Sequence, residues 1–355
     1  MMKQKMVMCL LTGVLVLGIG GCGAQEVEVP EVENVETAEE EPVPEETAEE
    51  EGDEQEKTDA EGQLKEVPTV DDAAESGKTE PEETEPEETE LEETEAASAP
   101  VVYEDGGQIT LDPSWTYADH SKINSGAAVL YKAAENRKEI VVGVNAGHGT
   151  SGGTKVKTLC HPDGSAKMTG GTTAAGATEA VAVSSGMTFN DGTPESSVTL
   201  RMAQILKEKL LAAGYDVLML RDGDDVQLDN VARTVICNNA ADCHIALHWD
   251  GDGLNYDKGC FYISVPDGLK SMEPVASHWS EHNALGSALV EGLRAQGAKI
   301  HGGGSMSIDL TQTSYSTIPS VDMELGNACS DHSDSVLDLL GNGLVQGVNS
   351  YFGQS

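Results

Sequence analysis

The chain has 355 residues, and its 62 Asp and Glu against 21 Lys and Arg give a formal net charge of -41 at pH 7. So large an acidic excess repels a phosphate backbone, and it excludes nucleic acid as an expected partner. About half of the acidic residues lie between Glu26 and Glu95, so the charge belongs mainly to one segment of the chain.

Residues 1–21 have the layout of a secretory signal peptide. Two lysines precede an apolar run from Met6 to Ile19, which is shorter than the roughly 20 residues of a membrane-spanning helix. The run is followed by Gly20-Gly21-Cys22, which resembles a bacterial lipobox, in which the cysteine becomes the lipidated N-terminus. An ordinary signal peptide with an incidental cysteine is the alternative. We expect a lipid anchor on Cys22 that holds the protein at the extracytoplasmic face of the bacterial membrane, in contact with the cell wall.

Residues 22–100 have the composition of a spacer. The acidic segment within them contains no aromatic residue, and Glu80 to Thr94 repeats a five-residue unit built on Pro-Glu-Glu-Thr. A segment with so little apolar surface cannot offset the entropy of ordering, so it predicts a disordered acidic tether. Its end-to-end distance is expected to be roughly 50 Å, and charge repulsion extends it further. An acidic tail that binds cations or a basic partner is the alternative.

Residues 101–355 predict one domain in which strands and helices alternate. The β-branched run Ile140–Val144 is typical of a buried strand. Further strands are expected at 217–220, 243–247, 260–264 and 320–323, and helices at 197–213, 228–239, 281–295 and 335–351. This alternation predicts an α/β fold: a mostly parallel, twisted sheet flanked by helices on both faces. Ligands in such folds bind beyond the carboxyl ends of the strands.

Residues of the metal-binding type fall at those predicted ends. His148 follows the first strand, His248 ends the third, and Glu324 ends the late strand. Glu195 immediately precedes the first predicted helix, so we expect it on the same edge of the sheet. Two histidines and one glutamate are a known set of zinc ligands that leaves one position for water, and a further glutamate nearby can serve as a general base.

Seven short motifs occur in the order found in zinc-dependent N-acetylmuramoyl-L-alanine amidases of type 3, and the chain resembles that family from about Ile140 onward. The motifs are NAGHG at 145–149, ESSVTL at 195–200, LRD at 220–222, VAR at 231–233, NNAAD at 238–242, IALH at 245–248 and IPSVDMELG at 318–326. The resemblance implies that His148, Glu195 and His248 bind Zn²⁺ and that Glu324 is the catalytic carboxylate.

The same resemblance implies a peptidoglycan hydrolase. Its substrate bond is the amide between the lactyl group of N-acetylmuramic acid and the L-alanine of the stem peptide. Zinc-activated water would attack this bond, with Glu324 as general base and acid. Peptidoglycan and the membrane are then the partners, and we expect a monomer.

The sequence departs from the family pattern at four places. Asn145 stands where Asp is usual, Asp250 where Asn is usual, and Asn327 where Phe is usual. The stretch 150–194 is also longer than usual. These differences bear on substrate choice more than on the metal, and they keep open a second hypothesis: a catalytically inactive, tethered wall-binding protein with the same fold. A solute-binding lipoprotein is a third hypothesis, against which the single domain argues.

Several other residues compete for a place in the site. Glu179 is an alternative carboxylate ligand, but Glu195 has the better helix behind it. His148 between two glycines also suits a simple turn, and Glu324 also suits a structural cap. We interpret His244 as a core residue, because one strand holds it too far from His248 to share an ion.

One five-residue motif predicts a different enzyme. His278-Trp279-Ser280-Glu281-His282 matches a metalloprotease signature that places both histidines on one helical face. We consider it a chance match, because it lies in a helix far from the strand ends. His161, His301 and His332 lie in Gly- or Asp-rich segments and are predicted to be surface residues.

The predicted domain has five cysteines, at 160, 237, 243, 260 and 329, without a Cys-x-x-Cys pair. A zinc site made of thiolates is therefore not expected. An odd number leaves at least one free thiol, while the sequence leaves the existence of any disulfide open.

Overall fold

The computed structural model describes residues 103–354. The predicted signal peptide (1–21), the lipidation site Cys22 and the predicted tether (22–100) lie outside the described residues and stay predictions. Within the described part, no helix combines the length and the apolar character needed to cross a membrane.

Among residues 103–354, ten strands form two sheets. In chain order they are β1 (Gln108–Ile109), β2 (Ala128–Tyr131), β3 (Val141–Ala146), β4 (Lys157–Leu159), β5 (Glu179–Val181), β6 (Asp216–Met219), β7 (Cys243–Asp250), β8 (Cys260–Ser264), β9 (Ile300–Ser307) and β10 (Ser320–Asn327). The large sheet has the order β1-β2-β6-β3-β7-β10-β8-β9, and β4 and β5 form a separate antiparallel pair. Its four central strands, β6, β3, β7 and β10, run parallel.

Five helices cover this sheet: α1 (Glu195–Ala212), α2 (Asn230–Ala240), α3 (Val275–Ala295), α4 (Thr311–Tyr315) and α5 (Asp334–Tyr351). Apolar residues of α1, α3 and α5 form the main core with one face of the central strands. Residues of α2 pack with β2 and β6 in a second core on the opposite face. The predicted α/β class, with helices on both faces of a mostly parallel sheet, is confirmed.

Strand β7 sorts its side chains between the two faces. Ile245, Leu247 and Trp249 enter the main core. Because successive side chains of a strand point to opposite faces, His244 and His248 project to the other side. That second face, at the carboxyl ends of the central strands, is where the polar residues of the candidate site collect.

The sequence missed some elements and misplaced several boundaries. Strand β7 ends at Asp250 rather than at 247, and β10 ends at Asn327 rather than at 323. Helix α3 begins at Val275 rather than near 281, because fully buried Val275 anchors an additional turn and a half. Strands β4 and β5 have only three residues each and lie in a Gly- and Thr-rich segment. They are too short for an alternation of apolar and polar residues to be recognised. Edge strand β9 contains three consecutive glycines, which are depleted in strands.

All five cysteines of the described residues are free, which confirms the expected free thiol. Four of them are buried, and Cys329 is partly exposed. Burial raises the pKa of Cys260 to about 12 and raises those of Cys160, Cys237 and Cys243 as well. The four buried thiols are therefore protonated at neutral pH and are poor metal ligands.

Candidate metal and active site

Three side chains that are remote in sequence converge at the edge of the sheet. His148 follows β3, Glu195 is the first residue of α1, and His248 lies near the end of β7. Nε2 of His148 lies 2.9 Å from Oε1 of Glu195 and 3.1 Å from Nδ1 of His248. Nδ1 of His248 is 3.2 Å from the same glutamate oxygen. The structure therefore brings together the three residues that the sequence predicts as ligands.

His148 is held by a strained turn and by its neighbours. Its φ of 66° is left-handed, which is uncommon for a residue with a side chain. Nδ1 of its ring lies 2.9 Å from the carbonyl oxygen of Ser184, so this nitrogen carries the proton and donates. Nε2 then keeps its lone pair and points at Glu195 and His248, as a metal-binding histidine requires.

Two buried arginines hold the backbone of this turn. Arg221 donates to the carbonyl oxygens of Ala146 and Gly147, and Arg233 donates to those of Ala146 and His148. Burial lowers the pKa of Arg221 to about 10, and burial together with the charge of Arg221 lowers that of Arg233 to about 9. Both remain charged at neutral pH, and their fixed donors set the position from which His148 projects.

Arg233 also contacts Asn145, the first of the residues at which the sequence departs from the expected pattern. Its Nη1 donates to Oδ1 of Asn145 at 3.0 Å. The guanidinium is satisfied by this amide oxygen, by backbone carbonyl oxygens and by the hydroxyl of Thr150.

Glu195 is fixed through both of its oxygens. Oε2 accepts from the backbone N–H of Met187 at 2.8 Å, and Oε1 accepts from that of Trp249 at 3.0 Å. Burial alone would raise the pKa of Glu195, but hydrogen bonds and charge from His148 and His248 lower it overall. The carboxylate is thus ionised, and its place at the N-terminus of α1 adds a favourable helix dipole.

Glycines make room for this packing. A Cβ atom at Gly147 would lie 2.2 Å from the ring of His248. At Gly186, where φ is 80°, a Cβ would lie 2.7 Å from the ring of His148 and 2.8 Å from Oε2 of Glu195. Larger residues at either position would displace the converging side chains.

Glu324 lies beside this cluster. It is the register partner of His248 across the parallel pair β10 and β7, so the two side chains share a face. Its Oε2 is buried and has no hydrogen-bond partner among residues 103–354. Burial, and then the nearby carboxylate of Asp322, raise the pKa of Glu324 well above its usual value. A carboxyl group whose pKa is raised by burial and by a neighbouring charge is a candidate for a functional site.

The donor set fits a metal ion. The three ligand atoms lie within 4.8 Å of one another, and two imidazole nitrogens with one carboxylate oxygen are a catalytic zinc set. Ligands of a tetrahedral zinc ion lie about 3.3 Å apart, close to the separations seen here. A cleft of about 490 Å³ opens onto His148, Glu195, His248 and Glu324. A second cavity, of about 650 Å³ beside Phe189 and His332, contains none of these four residues.

Comparison with known proteins assigns the family. A sequence model described as N-acetylmuramoyl-L-alanine amidase matches residues 142–338, more than half of the chain. The chain belongs to this amidase family. The matched range contains all four converging residues. A search of curated protein sequences found no match.

Solved structures of amidases are similar in fold. The amidase Ami1 from Mycobacterium smegmatis is 20% identical with a TM-score of 0.51, and the alignment covers 62% of this chain and 99% of that one. Ami1 from Mycobacterium abscessus, in its apo form, is 22% identical over 60% and 99%, with a TM-score of 0.48. An amidase from Clostridium difficile 630 is 16% identical over 60% and 97%, with a TM-score of 0.44. At such identities, the similarity to the Mycobacterium smegmatis enzyme shows a shared fold.

The competing residues lie elsewhere. Glu179 is exposed on β5 and is not part of the cluster. His278, Glu281 and His282 lie on α3, where Nδ1 of His282 accepts from the backbone N–H of Ser320. His244 is fully buried, as predicted, and neither of its ring nitrogens has a partner among the described residues.

The prediction that His161 lies on the surface is wrong. This residue is fully buried, with Nε2 2.9 Å from Oδ1 of Asp309 and Nδ1 2.8 Å from Oγ of Ser165. Its Gly- and Asp-rich surroundings suggested a loop, but the partner Asp309 is 148 residues away in sequence. His301 and His332 are partly exposed.

The other two substitutions of the family pattern hold the loop after β7. Asp250 forms an ion pair with Lys258. The fully buried Asn327 donates to Oδ1 of Asp252 at 3.1 Å and to the carbonyl oxygen of Tyr256 at 3.0 Å. Asp250 lines the cleft, whereas Asn327 is not among the residues that line it.

Sequence reasoning missed the contribution of the long stretch 150–194 and of Asp322. The long stretch supplies Ser184 and Met187, which hold His148 and Glu195 through backbone groups that no side-chain motif reveals. Asp322 was visible as an acidic residue two places before Glu324 within a buried strand, a position at which an apolar residue is expected.

Proposed function

We propose that this chain is a zinc-dependent peptidoglycan hydrolase that cleaves the amide between the lactyl group of N-acetylmuramic acid and the L-alanine of the stem peptide. In this proposal His148, Glu195 and His248 hold the ion, and Glu324 is the catalytic residue. The observation that carries it is the convergence of the three donor atoms within 4.8 Å of one another, at a cleft that also contains Glu324.

The residues divide the chemistry among them. A zinc ion at such a site activates water near neutral pH and polarises the amide carbonyl. Glu324 is placed to take a proton from the attacking water and to deliver it to the departing amine, because it is the register partner of His248 and faces the same cleft. Glu195 and His148 stay fixed by backbone hydrogen bonds throughout.

We also propose where the enzyme acts. Residues 1–21 would export the chain, a lipid on Cys22 would hold it at the outer face of the membrane, and residues 22–100 would tether the catalytic domain, residues 101–355, within the wall. The domain would work as a monomer. Support comes from the order of these segments in the sequence and from peptidoglycan being the substrate of the family.

Digestion of purified peptidoglycan tests the activity. We expect the zinc-loaded protein to release stem peptides with a free N-terminal alanine and to leave muramic acid with a free lactyl carboxylate, both detected by mass spectrometry. A chelator should stop the release, and added zinc should restore it. Absence of these ends with zinc-loaded protein would overturn the proposal.

A wall-binding protein without turnover is the second candidate, favoured by the substitutions Asp250 and Asn327 beside the site. It predicts sedimentation of the protein with peptidoglycan and no new ends, whether or not zinc is bound. The same digestion distinguishes the two functions.

A further inference from the structure

Asp322 is a buried carboxylate beside the candidate site that has no role in the proposed hydrolysis. It lies two residues before Glu324 on β10, so both side chains project from the same face of the sheet. Asp322 is 9% exposed, and its Oδ1 has no hydrogen-bond partner among the described residues. A buried carboxylate oxygen without a hydrogen-bond partner is costly, so its presence here requires an explanation.

Among residues 103–354, the imidazole of His248 is the only basic group within 4.0 Å of this carboxylate. Nε2 of His248 lies 3.8 Å from Oδ2 of Asp322. Within residues 103–354, no lysine or arginine nitrogen approaches Asp322 to ion-pair distance. An ordinary structural salt bridge to a long basic side chain therefore does not account for it.

The two ring nitrogens of His248 face different surroundings. Nδ1 is 3.1 Å from Nε2 of His148 and 3.2 Å from Oε1 of Glu195. Nε2 points away from them, toward Asp322. When one nitrogen of a histidine ligates a metal, the other carries a proton and needs an acceptor, and a carboxylate in that place fixes the ring and strengthens the ligand.

We propose that Asp322 is a positioning residue for the metal site: its carboxylate accepts a hydrogen bond from Nε2–H of His248 and holds the imidazole with Nδ1 toward the ion. The inference rests on the proposed function, because it takes His248 as a ligand. Closing the 3.8 Å separation to a charge-assisted hydrogen bond requires a movement of about 1 Å. The parallel pairing of β7 and β10, in which Asp322 is the register partner of Ala246, holds both side chains on one face of the sheet.

Zinc affinity tests the role without relying on activity. Metal-free wild type, Asp322→Asn and Asp322→Leu are titrated with zinc in competition with a chromophoric chelator. We expect Asp322→Leu to weaken zinc binding about 10- to 100-fold. Asp322→Asn keeps an acceptor oxygen but loses the charge, so its loss should be smaller. The absorption spectrum of the cobalt-loaded variants should shift as well, because the orientation of one ligand changes.

Asp222→Asn is the matched control. Asp222 is a partly buried carboxylate that accepts from the hydroxyl of Tyr131 and lies outside the cluster. Its loss should leave zinc affinity unchanged. The melting temperature of the metal-free proteins supplies a further readout, because it separates a loss of folded-state stability from a loss of zinc affinity.

The outcomes separate this inference from the proposed function. Wild-type zinc affinity in both Asp322 variants overturns the positioning role and leaves the amidase proposal standing. The same holds if Asp322→Leu lowers only the melting temperature of the metal-free protein and leaves the affinity unchanged, since Asp322 is then merely structural. If wild type itself binds no zinc, both proposals fall. If Asp322→Leu does not fold, Asp322→Asn decides.

Discussion

His244 and His248 lie on the same face of β7, four residues apart, and the fold treats them in opposite ways. Burial lowers the pKa of His244 to about 3, and the charges of Arg233 and His282 add to this effect. Neither of its ring nitrogens has a partner among the described residues. For His248, burial opposes the charged form, but Asp322 and Glu195 raise its pKa to about 10. Burial thus keeps His244 uncharged, whereas the acidic groups brought by α1 and β10 favour the charged form of His248 in the metal-free protein.

Replacing His248 and His244 in turn is the strongest test of this difference between them. His248→Ala should lose the metal and reduce amide hydrolysis to background, because a catalytic zinc site depends on all three protein ligands. His244→Leu should keep both the metal and the activity. Metal content by mass spectrometry and the release of peptides from peptidoglycan are the measurements. Equal losses in the two variants would mean that the site does not depend on His248 in particular.

Glu324→Gln separates metal binding from proton transfer at the same edge of the sheet. The amide keeps the shape of the side chain but cannot accept a proton, so we expect turnover to fall about 100- to 10,000-fold. Zinc stoichiometry should stay at the wild-type value. Rates and metal content are measured on one preparation, and undiminished turnover would remove Glu324 from the mechanism.

The two buried histidines, His244 and His282, predict how the stability of the fold depends on pH. The pKa values of His244 and His282 are about 3, lowered first by burial and then by Arg233 and His278 respectively. In the unfolded chain both titrate near 6.5, so the unfolded state binds more protons between these values, and stability falls as pH drops below about 6.5. The loss by pH 4 should be on the order of several kcal/mol.

Denaturant unfolding at a series of pH values measures this loss, with metal-free protein to keep the site out of the comparison. Acid also protonates ordinary carboxylates, so wild type is compared with His244→Leu. A shallower decline in the variant is expected. Parallel curves would show that His244 is protonated in the folded state as readily as in the unfolded state.

The smallest expected effect is on stability at neutral pH. His244→Leu replaces two buried nitrogens that have no partners in the described structure by apolar atoms of similar volume. Since an unsatisfied buried polar group costs about 1–3 kcal/mol, the variant should gain about 1 kcal/mol in the free energy of unfolding at pH 7.5. A loss of stability in denaturant titrations would indicate a partner for His244 that the described residues do not contain.

The sequence was sufficient for the central part of the fold. The β-branched run before Asn145 and the apolar alternation around His248 marked β3 and β7. The rule that ligands lie beyond strand ends pointed to the edge at which His148, Glu195 and His248 converge. It also placed His244 in the core, since a strand separates it from His248 along its axis. These features are local, so a single sequence displays them.

The features that the sequence did not predict depend on contacts between segments that are distant along the chain. The burial of His161 against Asp309 and the brace from Ser184 to His148 join residues that no periodicity links. Asp322 is similar, because its relation to His248 depends on the pairing of β10 with β7. The assignment of Glu195 and Glu324 to different roles came from the resemblance to the amidases, and the physical pattern alone left it open.

The long segment between β3 and α1 has a practical consequence for protein engineering. Early in this segment, His161 is hydrogen-bonded to Asp309. Closer to α1, the carbonyl of Ser184 accepts from His148 and the N–H of Met187 donates to Glu195. Shortening this segment to a brief connection would therefore remove the hydrogen-bond partners of His148 and Glu195, although both residues would remain in the chain. A minimised version of this domain has to be cut elsewhere.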